Sequence, residues 1–215
     1  MIVAAQAWKD NAALIETARD LGYIGRRVLD PTFGMGNWWK NWQPDELVGH
    51  DLKTDGVDFR QLPAEGLFDT VTFDPPYIPQ GGRDSSTLET GKQSSSTFID
   101  RYGLRHGPRT NNELRALVHD GMASFSTVLA RRGTLLVKCM SYVNGGAWRA
   151  MPRWIANDAE GLGYIQIDEL IHLRHPGPQP HRDKQHTARR NYSMLLVFRW
   201  PHAANVAQLD LGAAS

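Results

Sequence analysis

The run Asp74-Pro75-Pro76-Tyr77 joins a carboxylate, two rigid prolines and an aromatic ring in four consecutive positions. It closes a short apolar stretch, Thr70-Val71-Thr72-Phe73, that reads as a buried strand. A carboxylate and a proline carbonyl are hydrogen-bond acceptors. Proline itself donates nothing and fixes φ, so the carbonyl direction is held. Such a group binds an amine, and Tyr77 offers a flat face to a ring carrying that amine. Upstream, Val28-Leu29-Asp30 ends a second strand in the same way and runs into Pro31-Thr32-Phe33-Gly34-Met35-Gly36. Glycines at 34 and 36 let the backbone approach a ligand without Cβ atoms between.

The elements that must position these residues alternate. A helix over 11–21 carries Leu14, Ile15, Ala18 and Leu21 on one face and stops at Gly22. Strands follow at about 27–30, at 47–51, at Val57-Asp58-Phe59 and at 70–73. A helix starts near Thr110-Asn111-Asn112, with Leu114, Leu117, Val118, Met122, Phe125 and Leu129 on one face. Thr134–Cys139 is the fifth strand, 147–160 another helix, and strands six and seven begin near Tyr164 and at Ser193. Alternation of this kind implies an α/β fold with a doubly wound, mostly parallel sheet, whose ligands bind outside the carboxyl ends of the strands at the switch point. Asp30, Asp51 and Asp74 all fall at such ends.

The glycine turn alone is a weak signal, equally compatible with a tight strand-to-helix turn. A dinucleotide fingerprint needs a small residue where Trp39 stands, and no phosphate-binding GxxxxGK[ST] loop occurs. Asp51 is placed for two ribose hydroxyls, and Asp58 and Phe59 for an adenine amine and face; a surface Asp beside a core Phe fits the latter pair equally well. Trp38, Trp39 and Trp42 read as packing of a helix on the sheet, with base stacking as the alternative.

In that order, Asp30–Gly36 and Asp74–Tyr77 resemble the two signature motifs of the S-adenosylmethionine-dependent amino-methyltransferases, which act on adenine N6 or cytosine N4 of nucleic acid. The resemblance spans roughly residues 10–200, and the DPPY run is its specific part. It implies the seven-stranded class I methyltransferase (Rossmann-like) sheet with its last strand antiparallel. It implies S-adenosylmethionine as methyl donor, with Asp30, Pro31, Thr32, Phe33, Gly34 and Gly36 around its methionine part, Asp51 on its ribose, and Asp58 and Phe59 on its adenine. Asp74, Pro75, Pro76 and Tyr77 become the catalytic group. Asp74 in the first motif position favours adenine N6 in DNA; cytosine N4 in DNA, an rRNA-type adenine, or a non-catalytic nucleic-acid-binding module are the alternatives. Asn there would have pointed to a protein glutamine. A role in restriction–modification is an expectation from the family.

The 215 residues suit one domain, 1–200, with a flexible tail over 201–215. Net charge is +1, so a nucleic-acid surface must be local. Two basic segments qualify. The polar stretch 78–110, expected to be a mobile target-binding loop, contains Arg105 and Arg109. The stretch 172–191 carries Arg174, His175, Arg182, Lys184, Arg189 and Arg190. A solvated turn is the plain alternative for the second, and its histidines match no metal-ligand spacing. With no room for a large recognition domain, recognition would fall to loops, a second copy or a separate specificity partner. A single cysteine, Cys139, excludes an internal disulfide. The first ten residues show no signal peptide, and no apolar run reaches the ~20 residues of a membrane span. A cytoplasmic protein without membrane or metal partners is the expectation.

Overall fold

The computed structural model describes residues 8–77, 107–173 and 191–201. Helix α1 (Asn11–Asp20) is capped by Asp10, whose carboxylate accepts the Ala13 N–H at 3.1 Å. Strands β1 (Arg27–Asp30), β2 (Glu46–Gly49) and β3 (Phe68–Phe73) precede α2 (Asn111–Phe125). The Thr110 hydroxyl caps α2 by accepting the Glu113 N–H at 3.1 Å. β4 (Leu129–Cys139), β5 (Tyr142–Asn144), β6 (Ala147–Arg149), α3 (Met151–Gly161), β7 (Ile165–Leu173) and β8 (Tyr192–Arg199) complete the order.

The main sheet runs β2-β1-β3-β4-β8-β7. β1 is parallel to β2 and β3, and β3 to β4; β8, the last strand in the chain, is antiparallel to β4 and β7. Side chains alternate across the strands, so each face carries its own core. On one face Val71, Phe73, Leu135, Val137, Leu196 and Phe198 pack under α2 and α3. On the other, Val28, Leu136, Leu195 and Val197 pack under α1 and the tryptophans 38 and 39.

The expected doubly wound, mostly parallel sheet with an antiparallel last strand is observed, but with six strands rather than seven among the described residues. The missing one is Val57-Asp58-Phe59. Here carboxylates serve the local backbone in place of a neighbouring strand: Asp55 Oδ1 accepts the N–H groups of Asp51 and Val57, and Asp58 Oδ1 that of Arg60. The helix expected from 147 begins at Met151, with Pro152 in its first turn. Residues 147–149 are instead the second arm of a hairpin, turned by Gly145 and Gly146 at φ 60° and 76°. The tryptophans pack against the sheet as expected, but from turns rather than from a helix. Residues 78–106 and 202–215, and with them most of the anticipated loop and the tail, lie outside the described residues.

Phe59 is seated by Gly121 of α2. A Cβ there would stand 2.8 Å from Phe59 Cδ2 and 3.2 Å from Phe73 Cζ. Gly121→Ala would gain about 1 kcal/mol of helix propensity, but overpacking two rings costs about 1–3 kcal/mol. The variant is therefore expected to be destabilised and to displace Phe59; urea unfolding beside Asp120→Ala, its exposed neighbour, measures this.

Candidate active site

β1 and β3 lie side by side at the point where the chain turns from building the sheet one way to building it the other. Their ladder is short, pairing Val28 with Thr70 and Leu29 with Val71. Beyond it the tips carry Asp30 and Asp74, at the switch point where open α/β sheets bind their ligands. Thr32 joins them: its hydroxyl accepts the Asp74 N–H at 2.9 Å and stands 3.3 Å from Asp30 Oδ1.

Asp30 is buried. Its Oδ1 accepts the Thr32 N–H at 3.0 Å, and its Oδ2 accepts the indole N–H of Trp39 at 2.7 Å. Burial pushes its carboxyl up to about 7; the Trp39 and Thr32 hydrogen bonds pull down against that, and the charge of Asp74 adds to the rise. Asp30 and Asp74 are thus near enough for the charge of one to act on the other. Pro75 and Pro76 are buried and Asp74 and Tyr77 half-buried. The Tyr77 hydroxyl donates to Asp74 Oδ1, and the Tyr77 ring packs on the core of the α2 face. The stacking surface anticipated from the sequence is therefore turned onto the carboxylate in this structure.

The glycine turn has two distinct reasons for its glycines. Gly36 and Gly49 make room for Phe33, whose ring would meet a Cβ at 2.9 Å and 2.5 Å respectively. Gly34, at φ 53°, has nothing nearer its Cβ position than Asp51 Oδ2 and Thr32 O at 3.9 Å. A Cβ at Gly34 would thus touch Asp51 Oδ2 and Thr32 O only at ordinary van der Waals distance, so its glycine is called for by the positive φ. Pro31 is buried, whereas Met35 is 90% exposed. The loop after β2 brings Phe59 against Phe73, ring centroids 5.0 Å apart, immediately before Asp74. Asp58 is drawn onto Arg60, at 2.6 Å from Nη2, and this hydrogen bond holds its carboxyl below the usual range against the opposing effect of burial.

Arg109 is exposed and its backbone N–H donates to Glu113 at 2.7 Å, just ahead of α2. Arg105, Arg174, His175, Arg182, Lys184, Arg189 and Arg190 lie outside the described residues. Among the described residues no three His, Cys, Asp or Glu side chains are grouped to hold a metal, and no helix is long and apolar enough to cross a membrane.

Two participants escaped the sequence reading. One is the Trp39 indole on Asp30. The other is Lys138, 1% exposed, which follows Val137, the partner of Phe73 in the ladder. Its ammonium donates to Asn11 Oδ1 at 2.5 Å and lies 5.9 Å from the Trp38 ring. A lysine inside the apolar run Thr134–Cys139 was the available signal. Next to it Cys139 is sealed, and burial pushes its thiol far above the usual range. A groove of about 440 Å³ lies at the start of α1, lined by Trp8, Lys9, Asn11, Asn37, Lys40 and His172 among others.

Fold and site define a doubly wound α/β chain with two acidic strand ends, joined by Thr32, at its switch point. No family model and no curated protein matches the sequence. Among solved structures the chain is similar to a candidate DNA modification methylase from Thermus thermophilus complexed with S-adenosyl-L-methionine (14% identity, 68% of this chain and 52% of that one, TM-score 0.42). It is also similar to the N-methyltransferase NodS from Bradyrhizobium japonicum WM9 in complex with S-adenosyl-L-homocysteine (11% identity, 89% and 86%, TM-score 0.47). A third is TrmN from Thermus thermophilus (14% identity, 89% and 50%, TM-score 0.49). The chain spans about half the length of the Thermus thermophilus methylase. At such scores these likenesses assign no residue a role.

Removing the Trp39 N–H while keeping a ring there isolates its effect on Asp30. In Trp39→Phe the carboxylate loses a charge-stabilising donor, so Asp30 is expected to titrate above its present value of about 7. Carboxyl-carbon NMR reads this directly. Because the folded value exceeds 3.8, the folded state holds the extra proton between the two. Asp30 therefore makes stability fall as pH rises across that window, and the loss is complete above it.

Proposed function

We propose that this chain is an S-adenosylmethionine-dependent methyltransferase acting on an exocyclic base amine, with adenine N6 in DNA as its substrate. The reading rests above all on Thr32, which joins the Asp30 tip to the Asp74 tip. The positive φ of Gly34 and the Asp51 carboxylate 3.9 Å from its Cβ position suit a nucleoside held close to backbone.

Asp30, Thr32, Phe33 and Gly34 would border the methionine part of the donor, Asp51 its ribose, and Phe59 with Asp58 its adenine. Arg60 already neutralises Asp58, whose oxygens retain lone pairs for an amine. When bound, the donor supplies a methyl on a sulfonium; the nitrogen–carbon bond forms as the carbon–sulfur bond breaks, leaving a thioether.

An exocyclic amine is a poor nucleophile because its lone pair is delocalised into the ring. The Asp74 carboxylate and the Pro75 carbonyl would accept its two hydrogens, turning the nitrogen toward tetrahedral geometry and stabilising the positive charge that develops on it. Pro75 and Pro76 hold that carbonyl rigid. Positioning supplies most of the acceleration. Base binding exchanges the Tyr77 hydroxyl for the base amine at Asp74 Oδ1, and the released ring can then stack on the base. A duplex target must be flipped out to reach Asp74.

Radiolabelled methyl transfer to DNA and RNA side by side, followed by nucleoside analysis, tests the proposal. Label is expected in N6-methyladenine of DNA and to fall at least about a hundredfold in Asp74→Ala. Donor binding without transfer to either polymer would leave a binding module instead. Tyr77→Phe keeps the ring and removes only the hydroxyl from Asp74 Oδ1, so transfer is expected to persist. Tyr77→Ala loses a stacking contact of about 1–3 kcal/mol, and KM for DNA is expected to rise by about tenfold or more.

A further inference from the structure

His50 closes β2, one residue before Asp51. Its backbone belongs to the site: its N–H donates to Asp30 O at 2.9 Å, and its carbonyl accepts the Phe33 N–H at 2.9 Å. Its ring turns into the loop that follows. Nδ1 lies 2.7 Å from Asp55 Oδ2, and Nε2 3.3 Å from Glu65 Oε2. Ionised carboxylates only accept, and an imidazole carries a hydrogen on both nitrogens only when charged. A neutral ring would aim a lone pair at one of the two acids, so this geometry is that of a histidinium.

The two acids stand at the two ends of one loop. Asp55 Oδ1 also accepts the N–H groups of Asp51 and Val57, both at 3.1 Å, and the Glu65 carbonyl accepts Arg27 Nη2 at 2.7 Å. Between those ends lie Asp58 and Phe59. The ring thus ties both ends of the segment to the tip of β2.

We propose that the charged His50 ring is the positioning residue of the donor-binding loop, fastening residues 51–65 so that donor affinity falls as the ring loses its proton. This rests on the reading of Asp51, Asp58 and Phe59 as donor contacts. Burial alone lowers the affinity of His50 for its proton, but the hydrogen bonds and charges of Asp55 and Glu65 outweigh it, and the pKa stands above 6.5. The clamp is therefore whole below 6.5 and lost as pH rises through the ring's folded value. Other charges nearby are Asp51 and Lys53 on the loop, Arg60 paired with Asp58, Arg27 paired with Glu46 across β1 and β2, and Asp30 on β1. Asp30 titrates near 7, so its contribution must be separated.

Two measurements on the full chain do so from about pH 6 to about pH 9. One is amide hydrogen exchange of residues 51–57 without ligand, corrected for intrinsic rates. The other is calorimetric affinity for S-adenosylhomocysteine. In the wild type, loop protection and affinity are expected to fall together by about tenfold as His50 titrates. In His50→Asn both should already be low at the acid end, and only the Asp30 transition should remain. Should that variant fold poorly, Glu65→Gln keeps the ring and removes one acid; its transition is expected at lower pH. Equal pH dependence of loop protection in the wild type and in these variants would overturn the proposal. Loop protection that follows His50, without ligand binding at any pH, would overturn the donor reading and with it the claim on affinity.

Discussion

A single threonine hydroxyl joins the two acidic strand ends. The β1–β3 ladder stops at Leu29 and Val71, one residue short of Asp30 and three short of Asp74. Without a further link the two tips would be free to splay, because nothing in the ladder pairs them. The Thr32 hydroxyl, set against Asp30 and holding the Asp74 backbone, supplies that link. The short ladder leaves the tips unpaired and the hydroxyl holds them together. Phe33, wedged over Gly36 and Gly49, then keeps the turn that carries Thr32 in place.

Burial sorts the carboxylates at the strand ends by task. Asp30 is sealed under Trp39 and spends both oxygens on local donors, so its work is to hold the turn. Asp74 is half-buried and accepts the Tyr77 hydroxyl, so it is less enclosed than Asp30. Asp51 lies beside the Gly34 turn, while Asp58 is paired with Arg60. Four acidic residues of similar intrinsic chemistry thus differ by environment. Lys138, buried near the end of β4 and bonded to Asn11, ties α1 to the sheet.

Much of this architecture was legible as pattern. Apolar runs ending in Asp gave the tips of β1 and β3, and the Thr110 cap and 3.6-residue periodicity gave α2. Where reading failed, local chemistry had overridden the pattern. Val57–Phe59 looks like a strand, yet Asp55 and Asp58 satisfy the backbone that a neighbour strand would have needed. Residues 147–149 look helical, yet the Gly145-Gly146 turn folds them back onto Tyr142–Asn144. Candidate site residues could be named by type, but their pairings could not. The Trp39 bond to Asp30, the Tyr77 bond to Asp74 and the His50 bridge link residues through the fold, and spacing along a chain does not encode which hydrogen bonds a side chain will prefer among several within reach.

The chain's sole thiol sits at the end of β4, fully enclosed and held protonated by its apolar surroundings. Thiolate is the reactive form, so maleimide and disulfide reagents have neither access nor a nucleophile there. A cysteine engineered on the surface can consequently take a fluorophore or spin label with the native residue left in place. Distances between the strand tips can then be followed in an otherwise unaltered core.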